Sequence, residues 1–382
     1  MTTTIKELGE RELLNRLKKF MRFGQIDDDV AEINTINKNL LINTDLLVEN
    51  IHFSEEISSA KDIGERELLN RIKKFMRLGQ IDDDIAELKS INKNLLINTD
   101  LLVENIHFSE KISNAKDIGW KSISANVSDL ICSGSVKIIS FTVGLVLPPN
   151  TNWKWVENLY EGMSEAMQEF GGEIIGGDCS SGEIKMISIT AIGEMSQPRL
   201  NRANALPGDY IVSTGFHGLS RLGLALLTSE KLPNNIKISP HLCDRAIDVH
   251  KRPYPAVKAL KSLIDCKPKF TNWRAAGTDS SDGLIESIRG ICHSSNCQAV
   301  LSKNSILKDP DWPKDSTLNK WVLYGGEDYH LILSMPKKWA KALSKKLTSA
   351  QIIGYMKKGK PSIFWDNLEE INTDQSDKFK HF

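Results

Sequence analysis

Residues 9–63 recur almost letter for letter at 64–118, a period of 55 with eight differing positions, among them Leu17 against Ile72, Val30 against Ile85 and Glu56 against Lys111. Solenoid repeats number three or more and drift in sequence, so two near-identical copies mark a tandem duplication or an artefact of cloning or assembly. Each copy holds a helical stretch (ELLNRIKKFM in the second), an acidic triplet (Asp82, Asp83, Asp84), a β-like run (LLINTDLLV) and a polar turn. A unit of this size buries little core by itself and must pack on the chain next to it. Only the second copy runs directly into GWKSISANVSDLICSG. Residues 64–118 are therefore expected to hold the working position, and 1–63 to be a surplus copy.

The full length of 382 residues exceeds what one core supports, since single cores stop growing near roughly 250 to 300 residues. Val156, Leu159, Tyr160, Met163, Ala166, Met167 and Phe170 recur at spacings of three and four, which predicts a helix over 153–170 ending at Gly171-Gly172. Turn signals at Gln197-Pro198 and Leu206-Pro207-Gly208-Asp209 place a domain boundary near residue 197, dividing 64–196 from 197–382. Beyond it, strand-like YIVST, HLILSM and SIFW alternate with helical LSRLGLALL and KKWAKALSKKL, the pattern of a mixed α/β layer fold. Gly354 to Lys360 imitates a P-loop, but Pro361 stands where a hydroxyl should touch magnesium; a hairpin turn between IIGY and SIFW is expected instead.

Lysine plus arginine balances aspartate plus glutamate at 49 each, so no net field attracts nucleic acid. No apolar run approaches the ~20 residues of a membrane span. The first residues lack the apolar segment of a signal peptide, and six cysteines without a CxxC pair suit reduced thiols in a cytoplasmic protein. Neither a Ser-His-Asp order nor an HExxH helix is present.

Aspartates gather where β-like runs or turns end: Asp84 in the acidic triplet, Asp100 in INTDLLV, Asp129 in NVSDL, Asp178 in GGDCSSG, and Asp279 and Asp282 in GTDSSDG. Singly each suits a turn or helix cap. As a set they repel one another, and magnesium, which takes hard oxygen ligands and keeps substrate phosphates in its shell, relieves that repulsion. Gly176 and Gly177 in IIGGD, and the glycines of STGFHGLSRLG and YGGED, permit close approach of backbone to phosphate. Arg202 and Arg252 are of the type that clamps phosphate, and His107 in ENIHFS is either a polar contact or a partly buried strand residue.

In order along 64–382, the acidic loop, INTDLLVENIHF, DIGWKSISANVSDL, IIGGD, NRANALPGD, TGFHGLS, TDSSDGL and YGGEDYHL resemble the thiamine-monophosphate kinases. That family sits in the wider group of aminoimidazole ribonucleotide synthetase. The resemblance implies a two-domain α/β fold with mixed sheets, its N-terminal domain forming a homodimer through a shared β-barrel and its C-terminal α/β domain closing each site. It implies transfer of the ATP γ-phosphoryl group to thiamine monophosphate by direct in-line displacement with several Mg2+ ions. By position, Asp84, Asn98, Thr99, Asp100, Asp129, Asp178, Asp279 and Asp282 would hold magnesium, with Asp129 and Asp282 central to turnover. Tyr160, Gly176, Gly177, Arg202 and Ser281 would contact ATP, and His107, Glu327 and Phe379 thiamine monophosphate. The sequence departs from the family at Asp82, in a glycine's place, and at Asn98, in a hydroxyl residue's place. A related ATP-dependent ligase and a non-catalytic binding protein of the same fold are the competing readings.

Overall fold

The structure, a computed structural model, describes residues 31–33, 38–42, 86–91, 94–195, 199–233 and 236–371. The helix expected over 67–76, the acidic triplet with Asp84, and Phe379 lie outside them. Among the described residues no helix is long and apolar enough to cross a membrane, and none of the six cysteines is in a disulfide.

The β-like run folds as β4 (Leu95–Val103). After it come α1 (Ala115–Cys132), β5 (Ser135–Leu147), α2 (Trp153–Phe170), β6 (Ile174–Ser181) and β7 (Met186–Met195). With β1 (Ala31–Ile33) these strands form a sheet of order β1-β4-β7-β5-β6. Only β5 and β6 run parallel, and α2 supplies the crossover such a pair needs. Helix α2 occupies the span expected, with Asn152 capping its start and Gly171 its end. Helix α1 starts at Asn114, whose side chain accepts from Asp117 N and donates to Asp117 Oδ2, both at 2.9 Å, a reciprocal cap.

The two helices cross at glycines. A Cβ on Gly119 would stand 2.0 Å from Leu159 O, and one on Gly162 1.9 Å from Lys116 O. No side chain fits there, so the helix backbones touch directly and carry Leu159 and Met163 into the core between helices and sheet.

The second half contains β8 (Tyr210–Ser213), α3 (Leu219–Leu227), α4 (Pro240–Lys251), α5 (Val257–Asp265), β9 (Ala276–Thr278), α6 (Leu284–Ser294) and β10 (Gln298–Leu301). Then come α7 (Asn319–Tyr324), β11 (Ile332–Met335), α8 (Lys337–Lys346), β12 (Gln351–Lys357) and β13 (Ser362–Trp365). Its sheet has the order β13-β10-β12-β8-β11-β9. The hairpin expected around Gly354 does not form. Strand β10 lies between β12 and β13, antiparallel to the first and parallel to the second. Gly354 is inside β12, where a Cβ would meet Val300 O at 2.2 Å; the glycine serves strand approach, not a turn. The turn at 206–209 does form, with Asp209 N donating to Leu206 O and Gly208 at φ 93°.

One hydrophobic cluster spans the boundary expected near 197, joining Leu130 and Leu159 to Leu263, Leu333 and Trp339. Arg252 clamps the same junction, bonding Asp117 on α1 at 2.7 Å and Glu165 on α2 at 2.9 Å. Its guanidinium is thus engaged by two carboxylates of the other half.

The two copies interleave. β1, from the first copy, pairs with β4 of the second, Ala31 opposite Ile97. β2 (Lys38–Ile42), also from the first copy, pairs with β3 (Ala86–Ile91) of the second, Ile42 opposite Ala86. The expectation that the first copy is surplus does not anticipate this arrangement.

Gly162→Ala is expected to destabilise the fold by ~1–3 kcal/mol through overpacking, read as a lower urea midpoint. An unchanged midpoint would show that α1 and α2 are not in backbone contact.

Candidate active site

Alternation along β4 sorts the predicted residues by face. Asn98 and Asp100 point toward α1; Thr99 points away, bonding Thr190 Oγ1 across the sheet at 2.8 Å. Asn98 Nδ2 donates to Asn126 Oδ1 at 3.1 Å and to Asp129 Oδ2 at 3.0 Å. Two acceptor neighbours fix which amide atom is nitrogen. Asn98 Oδ1 is then buried with no hydrogen-bond partner among the described residues.

From the second half, the loop after β9 brings Asp279 to the same place. Asp279 is buried, taking Ser128 Oγ on Oδ2 and Ser281 Oγ on Oδ1, both at 2.8 Å. Arg202 lies beside it, its Nε donating to Thr278 Oγ1 at 3.1 Å. Asp282 is exposed on this loop. The loop packs on Gly325-Gly326-Glu327-Asp328-Tyr329-His330 backbone to backbone: Glu327 N donates to Ser281 O at 2.7 Å. A Cβ on Gly326 would sit 2.2 Å from that oxygen, which is why glycine stands there.

Glu327 and Tyr329 both take left-handed backbone angles, φ 61° and 52°, a cost of about 1–2 kcal/mol each. Asp328 between them holds the conformation. Its carboxylate accepts from Gly218 N at 2.7 Å and Ser220 N at 3.1 Å, capping α3 from a distant loop.

Tyr329 is buried where the halves meet. Burial, then the negative charges of Glu327, Asp279, Asp100 and Asp129, push its phenol well above the usual range. One hydroxyl thus senses four carboxylates from β4, α1 and both loops. Glu327 also bonds Lys121 Nζ at 2.6 Å and approaches His250 Nδ1 at 3.4 Å. Burial pushes its carboxyl up, but the ammonium of Lys121 leads the opposing charges and leaves it lowered. Burial depresses His250 to about 4, so at neutral pH that ring is uncharged and Lys121 is the cation that keeps Glu327 ionised. His107 accepts Val103 N on Nδ1 at 3.1 Å.

Sequence reasoning missed Lys121, Tyr329 and Asp328. Lysine in a helix and a tyrosine after two acids carry no signal; the GGEDYH run, too polar for its buried surroundings, is the one available hint.

Gly176, Asp178 and Tyr160 do not join this group within one chain. The cross-strand row Leu101, Ser188, Gly144, Asp178 places Asp178 on the face of Thr99, opposite Asp100. Three strand spacings, about 14 Å, separate β6 from β4. Gly177 lets β6 approach β5, since a Cβ there would be 2.0 Å from Val143 O. Tyr160 is buried in the core. Among the described residues no three or more His, Cys, Asp or Glu side chains form a metal-holding cluster. The unpartnered Asn98 Oδ1 beside Asp129 is nonetheless a hard oxygen donor of the type magnesium takes.

A mixed sheet carrying Asn98 and Asp100 on the face that α1 covers and Asp178 on the other, joined to a second α/β layer, defines a protein related to AIR synthase, and the model of the AIR synthase related protein N-terminal domain matches residues 82–195. The thiamine-monophosphate kinase of Prochlorococcus marinus is 48% identical over 321 residues, covering 84% of this chain and 96% of that protein. That of Synechococcus elongatus is 34% identical, covering 85% and 98%. The solved structure of AaThiL complexed with AMPPCP and TMP superposes with TM-score 0.72 at 25% identity, covering 100% of both chains. The chain belongs to the thiamine-monophosphate kinase family.

His250 and His330 are both depressed by burial to about 4, against about 6.5 when unfolded. Between those values the unfolded chain binds more protons, so the stability these rings contribute is complete above pH 6.5 and lost as pH falls toward 4. The urea midpoint is expected to be lower at pH 5 than at pH 7, with a smaller difference in His330→Gln. A midpoint flat across that interval would show that the rings are not held neutral.

Proposed function

We propose that this chain transfers the γ-phosphoryl group of ATP to the phosphate of thiamine monophosphate, yielding thiamine diphosphate and ADP in the cytoplasm. The observation that carries the reading is that α1 joins Asp129 to Asn98 of β4, Ser128 to Asp279 and Lys121 to Glu327 at the junction of the two halves, in a chain 48% identical to a thiamine-monophosphate kinase. The ligase alternative has no comparable support.

Phosphoryl transfer asks the protein for positioning and charge neutralisation rather than covalent work. Magnesium, when bound, supplies the neutralisation of the polyphosphate, with Asn98, Asp100 and Asp129 the residues whose chemistry fits it. Arg202, beside Thr278 and Asp279, suits a phosphate oxygen, while Ser281 fixes the Asp279 carboxylate that it bonds. Glu327, kept ionised by Lys121 and close to His107, offers fixed negative charge to the cationic thiazolium of thiamine. A homodimer accounts for the second set: Gly176 and Asp178 lie at the β6 edge, remote from β4 of their own chain, so a partner chain is the means of joining the two sets.

ADP release in the presence of thiamine monophosphate, compared with formylglycinamidine ribonucleotide, distinguishes the two chemistries; release with only the latter overturns the reading. Asp129→Asn and Asp282→Asn are expected to abolish turnover while keeping the wild-type circular dichroism spectrum, and wild-type rates in both at saturating magnesium would remove their assignment. His107→Ala is expected to raise KM for thiamine monophosphate at least tenfold, by loss of about 1.4 kcal/mol of binding, with little change for ATP. A change confined to the ATP KM would place His107 at the nucleotide instead.

A further inference from the structure

The pairing of the four short strands contains a coincidence of register. Adding the repeat period of 55 to Ala31, Glu32 and Ile33 gives Ala86, Glu87 and Leu88. Adding it to Leu40, Leu41 and Ile42 gives Leu95, Leu96 and Ile97. The observed pairs are Ala31 with Ile97, Glu32 with Leu96 and Ile33 with Leu95, and Ala86 with Ile42, Glu87 with Leu41 and Leu88 with Leu40. Both ladders therefore repeat one register, the first strand of one copy always facing the second strand of the other.

We propose that the duplicated segments exchange edge strands within the chain, so that β1 of the first copy, and not β3 of the second, completes the sheet that carries Asn98 and Asp100. This makes the first copy a structural part of that sheet. It does not depend on the reaction assigned above.

The competing arrangement is two local hairpins, β1 with β2 and β3 with β4. It contains the same two ladders, so the number of ladder hydrogen bonds does not choose between them. Loop closure favours the hairpins, because only Asn92, Lys93 and Asn94 separate β3 from β4, whereas 61 residues separate Ile33 from Leu95. Residue pairing is neutral, since Ile33 and Leu88 merely trade Leu95 and Leu40 as partners; what favours the exchange is that both ladders take it, in one register. In either arrangement a one-residue slip would turn the strand over.

Four double-cysteine variants of the full chain decide it, because directly opposed residues of an antiparallel pair are close enough for a disulfide. Ala31→Cys with Ile97→Cys and Ile42→Cys with Ala86→Cys report the exchange; Ala31→Cys with Ile42→Cys and Ala86→Cys with Ile97→Cys report the hairpins. After mild oxidation, peptide mass mapping identifies each bond among the native cysteines. The first two variants are expected to cross-link within one chain at least about tenfold more than the last two. Preferential 31–42 and 86–97 bonds overturn the proposal. A 31–97 bond that joins two chains, seen as a covalent dimer on a non-reducing gel, overturns exchange within the chain. The 42–86 pair leaves Ile97 untouched, so a folding defect from that substitution does not remove the test.

Discussion

Helix α1 is the part on which everything else rests, because it is in contact on every side. Its Gly119 lets α2 approach to backbone distance, its Asp129 meets Asn98 on β4, and its Ser128 meets Asp279 from the second half at 2.8 Å. Asp117 binds Arg252, Trp120 donates to Pro253 O at 2.9 Å, and Lys121 pairs with Glu327. A helix buried all round has no solvated stripe, and its serines and asparagines bond largely inward. A shift of α1 by one residue would move Asp129, Ser128 and Lys121 off their partners together. The alignment of the two halves and the alignment of the site are therefore one constraint.

The loop at 325–330 shows how the second half meets that constraint. Two non-glycine residues in left-handed backbone angles would not persist alone. They persist because Asp328, turned the opposite way, is held by the amides that begin α3. Once Asp328 is anchored, Glu327 and Tyr329 are directed together to the α1 side. The rings of His217 and His330 pack edge to face at 5.4 Å behind them, and His330 Nε2 donates to Phe216 O at 2.9 Å. The strain is local, and buried polar contacts support it.

Much of the architecture is legible in the sequence because periodicity reports burial. The helix over 153–170 and the strand LLINTDLLV are set by which positions are apolar, and burial is what the structure rewards there. Among the candidate site residues, Asp129 and Asp279 stand out in the sequence only as members of a set, since an acid at the end of an element singly suits a turn or cap. The face each residue takes is less accessible. Thr99 and Asp100 are neighbours in sequence and on opposite sides of the sheet, and Asp178 is separated from Asp100 by register rather than by chain distance. A hairpin at Gly354 would need sequence neighbours to be sheet neighbours, whereas β10 inserts between the two strands.

A 55-residue insertion would ordinarily break the sheet it enters, whereas here the shared register lets β1 pair with β4. Either copy carries Ala-Glu followed by Ile or Leu at the strand that can border β4, so the register is the same whichever copy arrives. What differs is the chain between. Loop-closure entropy grows with the logarithm of length, so replacing a three-residue connection with one of 61 residues costs roughly 3 kcal/mol. That is a substantial part of the 5–15 kcal/mol by which a domain is usually stable, but it is within it. The ladder between β2 and β3 offsets some of that cost, because it closes part of the long excursion on itself. Duplication of a whole structural unit, with its period intact, is thus the form of insertion that preserves every face and every register while lengthening only a loop.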